Sequence, residues 1–150
     1  MYDSKVKLML KIAESQLGKP YEYKSNGAGS FDCSGFICEL LKSAGLLSKV
    51  DLSAQGLHDL LFNNHAAYKI ACEHAVGDLC FYGANRISIT HVNMLFAEIG
   101  RFYIIEAGGG DSTTTTPQAA KALGAMVRIR PLTWRHDLIA VMDPFHLPAI

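Results

Sequence analysis

Phe31-Asp32-Cys33-Ser34-Gly35-Phe36 is the stretch on which the reading of this chain turns. It separates a turn-rich run, Ser25-Asn26-Gly27-Ala28-Gly29-Ser30, from an apolar, helix-favouring run, Phe36-Ile37-Cys38-Glu39-Leu40-Leu41-Lys42. A loop therefore becomes a helix at Cys33, with Ser30 or Asp32 placed to cap it. The first amides of a helix have no internal partner, and the helix dipole puts partial positive charge there. Both favour a thiolate over a thiol, and the thiolate is the nucleophile. The same amides suit an oxyanion. A solitary cysteine is more often a small core residue than a reagent, so the residues around it have to decide.

Upstream, Ser4 to Leu17 reads as a helix, with Val6, Met9, Leu10, Ala13 and Leu17 on one face and Gly18 and Pro20 closing it. Downstream, the Cys33 helix runs to Ala44 and stops at Gly45. Ser53 caps a third helix through Phe62, and Ala66 to Val76 is irregular. After Gly77 the period changes from helix to strand. Asp78–Tyr82, Ile89–Ala97 and Phe102–Ala107 read as strands, with Glu98-Ile99-Gly100-Arg101 as a hairpin turn. Gly108 to Thr116 reads as an exposed loop. A short helix from Gln118 to Leu123 follows Pro117, and Met126–Arg130 and Leu138–Met142 close the chain as strands. Helices first and an antiparallel sheet after them make an α+β layout, in one domain over residues 1–150 without linker or repeat.

A cysteine nucleophile needs a base, and the base needs an orienting group. Of six histidines, His91 stands inside a strand, which fixes an imidazole better than a loop does. Alternation puts His91, Asn93 and Leu95 on one face and Val92, Met94 and Phe96 on the other. If the hairpin is centred between Ile99 and Gly100, Glu106 falls opposite Asn93 and diagonal to His91. A slip of one residue would turn Glu106 away. The remaining histidines read as surface or packing residues. Cys72, His74 and Cys80 have irregular spacing for a metal site, Gly108-Gly109-Gly110 lacks the lysine of a phosphate loop and reads instead as a mobile cleft wall, and Trp134 reads as a core or edge aromatic.

Gly18-Lys19-Pro20-Tyr21-Glu22-Tyr23, Asp32-Cys33-Ser34-Gly35, Gly77-Asp78 and His91-Val92 together resemble the NlpC-type, papain-like cell-wall cysteine peptidases. The resemblance covers about Gly18 to Ala107. It implies a papain-like α+β fold with N-terminal helices on a central antiparallel sheet of five or six strands. It further implies hydrolysis of a peptidoglycan stem peptide at the D-glutamyl bond to the diamino acid, with Cys33 as nucleophile, His91 as base and Glu106 as orienting group. Tyr21, Asp32 and Ser34 would shape the subsite for the substrate's free amino end. Capping accounts equally well for Asp32 and Ser34, and a core position for Tyr21. No metal or other cofactor is implied. The chain departs from the pattern in three places. Lys24-Ser25 stands for Gly-Gly, Asn93 for Gly and Glu106 for the usual His.

Composition limits the alternatives. Formal charge is zero, with 14 basic and 14 acidic residues, so there is no field for nucleic acid or an anionic membrane. No stretch is apolar for long enough to span a bilayer. The polar start, Met1-Tyr2-Asp3-Ser4-Lys5, is unlike a secretory segment, so synthesis in the cytoplasm without a signal peptide and reduced thiols are expected. An enzyme of this kind must still reach the wall, and the resemblance makes a phage tail or lysis assembly a candidate partner. Two rival functions stay open. One is a thiol acyltransferase or amidase on the same scaffold, and the other a catalytically silent module of a tail assembly.

Overall fold

The computed structural model describes residues 2–25 and 29–147. The middle of the turn-rich run before Cys33, residues 26–28, lies outside them. Three helices come first: α1 (Tyr2–Ser15), α2 (Cys33–Ser43) and α3 (Ala54–Asn63). Five strands follow: β1 (Leu79–Gly83), β2 (Ile89–Glu98), β3 (Phe102–Gly108), β4 (Met126–Pro131) and β5 (Leu138–Met142). Helix α4 (Pro117–Leu123) links β3 to β4. The strands form one antiparallel sheet in the order β4-β3-β2-β1-β5. This is the papain-like α+β arrangement that the sequence leads one to expect, with five strands.

The elements form where local chemistry asks for them. Asp32, not Ser30, caps α2, its side chain accepting from the Gly35 amide. Ser53 caps α3 by accepting from Gly56, and Thr116 caps α4 ahead of Pro117 in the first turn. Helix α1 stops two residues before the expected end. Leu17 therefore leaves the apolar stripe and is 41% exposed, while Val6, Met9 and Ala13 are buried. The segment from 66 to 76 is irregular apart from a single turn of 3-10 helix at Ala71–Glu73. Thr114 departs from the expected exposure of its loop. It is fully buried, and its carbonyl accepts from the Tyr23 amide.

Strand alternation divides the sheet into two faces. Leu79, Phe81, Val92, Met94 and Ile105 join the helices in the main core. Cys80, Tyr82, Leu95, Ile104 and Val141 form a smaller cluster on the other face, with Phe102 and Leu132 packed on it. Residues 18–21 run along the outer edge of β4. The Gly18 amide donates to Val127 and the Val127 amide to Lys19, while the Tyr21 amide donates to Ala125. On its other side the same segment exchanges backbone hydrogen bonds with Phe31, which donates to Pro20 and accepts from Glu22. This short ribbon ties the approach to Cys33 to the sheet.

Lys24 stands where the family pattern has glycine, and its φ is +61°. The backbone thus adopts the left-handed conformation with a residue other than glycine. Ser25 and its neighbours hold it there. The Ser25 carbonyl accepts from Asp32, the Ser25 hydroxyl meets Ser30, and the Ser30 hydroxyl donates to Glu22 at 2.7 Å. A side chain in this region costs on the order of 1 kcal/mol. Lys24→Gly is accordingly expected to raise unfolding stability by up to about 1 kcal/mol, and Lys24→Val to lower it by more than about 1 kcal/mol. Urea denaturation of the two variants measures both; equal midpoints for Gly and Val would contradict the left-handed assignment.

Candidate active site

Cys33 opens α2, and its thiol lies 4.0 Å from the carbonyl oxygen of Thr90, at the start of β2. The next residue along the strand is His91, whose ring hydrogen-bonds Cys33. The other side of that ring faces a carboxylate, with Nε2 2.8 Å from Glu106 Oε1. That leaves Nδ1 for the sulfur. The order Cys33, His91, Glu106 expected from the sequence is therefore the spatial order.

The register that brings Glu106 there has an unexpected origin. The hairpin is centred on Gly100, with Glu98 opposite Phe102 and Ala97 opposite Tyr103. Continued without interruption, this pairing would set Glu106 beside Met94, on the helix-covered face. An irregularity between Leu95 and Ala97 absorbs one residue, and Met94 then pairs with Ile105 and Leu95 with Ile104. The same alternation places Glu106 level with Asn93. The assumed turn was off by half a residue, and the bulge cancels the error.

Glu106 is 1% exposed, and three side chains meet its carboxylate. His91 and Asn93 Nδ2 approach Oε1, the latter at 3.2 Å, and Arg128 Nε donates to Oε2 at 3.0 Å. Asn93 is itself held by the Tyr82 hydroxyl, which donates to its Oδ1 at 3.1 Å. Burial alone would push the Glu106 carboxyl up, but the hydrogen bond and charge of His91, with Asn93 and Arg128, bring it down to about 2. Burial likewise opposes a charge on His91, yet the hydrogen bonds to Cys33 and Glu106 prevail and raise it to about 9. The pair is thus an imidazolium and a carboxylate at neutral pH.

These groups face a cleft of about 540 Å³. Tyr21 lines one side, and burial raises its hydroxyl well above the usual phenol range. Gly108 to Gly110 form part of the wall. A Cβ on Gly108 would enter the Glu106 carboxylate and one on Gly110 the Tyr21 ring, so both positions require glycine. Arg128, Trp134 and Arg135 line the cleft too. Trp134 is 50% exposed, with the Arg130 guanidinium 4.5 Å from its ring centroid, and so is a cleft residue rather than a core one. Arg135 is clamped by Asp137 through two hydrogen bonds and lies over the Tyr82 ring. The sequence reading missed these three. Arg128 alone had a readable signal, since a β4 paired with β3 sets it directly opposite Glu106.

Asp32 and Ser34 do not line this cleft. They line a separate recess of about 260 Å³ with Ser25, Lys24, Asp51 and Ser53. Asp32 Oδ1 accepts from the Gly35 amide at 2.7 Å and from the Ser34 hydroxyl at 3.4 Å, so much of its capacity goes to capping. Cys38 and Cys80 are buried, and burial raises the Cys38 thiol to about 11 and the Cys80 thiol higher still. His58 is a packing residue, buried against Phe62, Tyr68 and Phe81. Among the described residues, no three His, Cys, Asp or Glu side chains converge as a metal-holding group, and no helix is long and apolar enough to cross a membrane.

Known structures share this architecture. A Staphylococcus aureus protein described as similar to a lipoprotein of the NLP/P60 family superposes with a TM-score of 0.69 at 22% identity, over 96% of this chain and 42% of that one. The peptidoglycan hydrolase RipB of Mycobacterium tuberculosis superposes with a TM-score of 0.68 at 20% identity, over 96% and 66%. RipD of the same organism, described as a non-catalytic NlpC/p60 domain protein adapted to peptidoglycan binding, gives 0.61 at 18%, over 93% and 95%. The chain thus spans less than half of the first of these and nearly all of the last. The sequence model of the NlpC/P60 family matches residues 18–130, from the edge ribbon through helix α2 and the strands of His91 and Glu106 to β4, and the chain belongs to that family.

Proposed function

We propose that the protein is a cysteine endopeptidase that hydrolyses peptidoglycan stem peptides, at the D-glutamyl bond to the diamino acid. The observation that carries this reading is the His91 ring held between the Cys33 thiol and the buried Glu106 carboxylate at the floor of an open cleft. RipD is a non-catalytic relative in fold; an intact Cys–His–carboxylate set in this chain favours catalysis over binding alone.

In the proposed reaction the Cys33 thiolate attacks the scissile carbonyl, and amides at the head of α2 steady the oxyanion. His91 passes its proton to the leaving amine, which frees the first product and leaves a thioester on Cys33. The neutral His91 then takes a proton from water as the water attacks the thioester. Collapse expels the Cys33 thiolate and the second product as an acid that loses its proton to solvent, while His91 keeps the proton taken from water and restores the imidazolium beside the thiolate. Glu106 keeps the ring oriented and stabilises its charged form. Tyr21 on the cleft wall, with Asp32 and Ser34 in the recess beside the head of α2, shapes the end that takes the substrate's free amino group.

Mass spectrometry of purified peptidoglycan fragments after incubation with the protein tests the reaction. Cys33→Ala is expected to abolish fragment release while the thermal melt stays nearly unchanged. Release of nothing from any peptidoglycan type would move a binding role ahead, and acyl transfer to an added amine without hydrolysis would favour an acyltransferase. Independently of substrate, Cys33 should be alkylated by iodoacetamide at neutral pH well before exposed Cys72 and buried Cys38 and Cys80. Equal labelling of Cys33 and Cys72 counts against the reading.

The charged pair sets a pH window. His91 is raised, so its contribution to stability is complete below its ordinary value near 6.5 and fades as pH climbs through about 9. Glu106 is lowered, so its contribution is complete above its ordinary value of 4.5 and is lost as pH falls through about 2. The alkaline limb of kcat/KM should lie near the His91 value, and Glu106→Gln should move that limb to lower pH. The same substitution is expected to lower kcat by roughly ten- to a thousand-fold with little change in KM. An unmoved limb would mean that Glu106 does not act on His91.

A further inference from the structure

We propose that Arg128 is a positioning residue for this site, holding the Glu106 carboxylate so that Oε1 stays turned to His91, and thus acting on Cys33 through two intervening side chains. The inference rests on the Cys33–His91–Glu106 reading above.

A glutamate is a demanding choice for an orienting group. Its terminal torsion is broad and nearly two-fold, so a carboxylate fixed on one side only would spread over many orientations. Here both oxygens are engaged. Oε1 takes His91 and Asn93, and Oε2 takes Arg128 Nε at 3.0 Å. The β3–β4 register pairs residues 106 and 128 directly, so the contact is built into the sheet. The space for it is reserved as well. A Cβ on Gly108 would meet Glu106, and one on Gly109 would stand 2.9 Å from Arg128 Nη1. On the cleft side the Trp134 ring lies over the guanidinium, its centroid 5.6 Å from Cζ.

Charge supports the same role. With the thiolate formed, the line Cys33, His91, Glu106, Arg128 alternates negative, positive, negative, positive and sums to zero. Without Arg128 the buried set would carry a net negative charge, which opposes the thiolate. Loss of the cation and loss of the anchor therefore act in one direction, toward a less reactive Cys33.

The test measures iodoacetamide alkylation of Cys33 across roughly pH 5 to 9 in the full chain. It compares wild type with Arg128→Met, Arg128→Lys, Glu106→Gln and the double variant Glu106→Gln/Arg128→Met, with thermal melts alongside. Arg128→Met is expected to slow alkylation at neutral pH by roughly five- to fifty-fold and to shift its pH profile upward. Arg128→Lys should recover part of the rate, since it restores the charge without the fixed Nε geometry. The double variant should lie within about two-fold of Glu106→Gln alone, because residues that act through one another are not additive. Where fragment release is measurable, kcat should fall with KM unchanged. Additive losses in the double variant, or a wild-type rate in Arg128→Met, overturn the proposal. Alkylation needs no substrate, so failure to cleave peptidoglycan leaves this test standing. A wild-type Cys33 no faster than Cys72 would instead sink the catalytic reading, and this inference with it.

Discussion

A carboxylate taken out of water is costly unless other groups replace its hydration, and Glu106 is the point at which this protein meets that demand. Its replacement shell comes from the two strands that flank its own. His91 and Asn93 stand on β2, Arg128 on β4, and Glu106 itself on β3 between them. The need for all three to reach one carboxylate restricts how those strands can be paired. Shift β2 by one residue against β3, and both His91 and Asn93 leave the face that Glu106 occupies. A buried charge would then stand beside Met94. The packing of the sheet and the chemistry of the cleft thus select the same register.

That register depends on the irregularity between Leu95 and Ala97. The hairpin turn alone favours a pairing in which Glu106 faces the wrong way. A bulge adds local twist as well as a residue, and here it separates the half of β2 that makes the hairpin from the half that carries His91 and Asn93. Sequence patterning cannot locate such a feature, because Phe96 is as good a strand residue as its neighbours. Much else was legible. The α2 start at Cys33 follows from Asp32 and the apolar run, the strand identities from β-branched and aromatic content, and the two faces of β2 from alternation. The end of α1 was not legible, because Leu17 fits the helical stripe although the chain has already turned toward β4. Gly108 to Gly110 were legible as cleft wall, and the rest of the wall was harder to read for a different reason. Arg128, Trp134 and Arg135 come from strand β4 and the turn after it, and only the strand order brings them over Cys33.

The recess beside α2 shows where a motif outruns geometry. Asp32 and Ser34 flank Cys33 in sequence, yet they line a separate recess and not the cleft that Cys33 lines. Asp32 caps the helix with the same oxygen that accepts from Ser34. Capping fixes where α2 begins, and that start places Cys33. An Asp at this position is thereby needed for the location of Cys33 whether or not it also meets a ligand.

The three departures from the family pattern differ in kind. Lys24 is a change of residue type at a position whose φ lies in the left-handed region, where glycine is the easiest occupant. Asn93 and Glu106 are a change of chemistry, and they touch each other: the amide added at 93 donates to the carboxylate added at 106. Read one at a time, each looks like erosion of a site. Read together with Arg128, they form a set in which both carboxylate oxygens and both ends of the Asn93 amide are engaged. A histidine at 106 would leave the Arg128 guanidinium, only 16% exposed, without its counter-charge, and would leave Asn93 without its acceptor. A change at 106 therefore reaches residues 93 and 128 as well. The positions that must change together are set by contact across β2, β3 and β4 rather than by nearness in the chain.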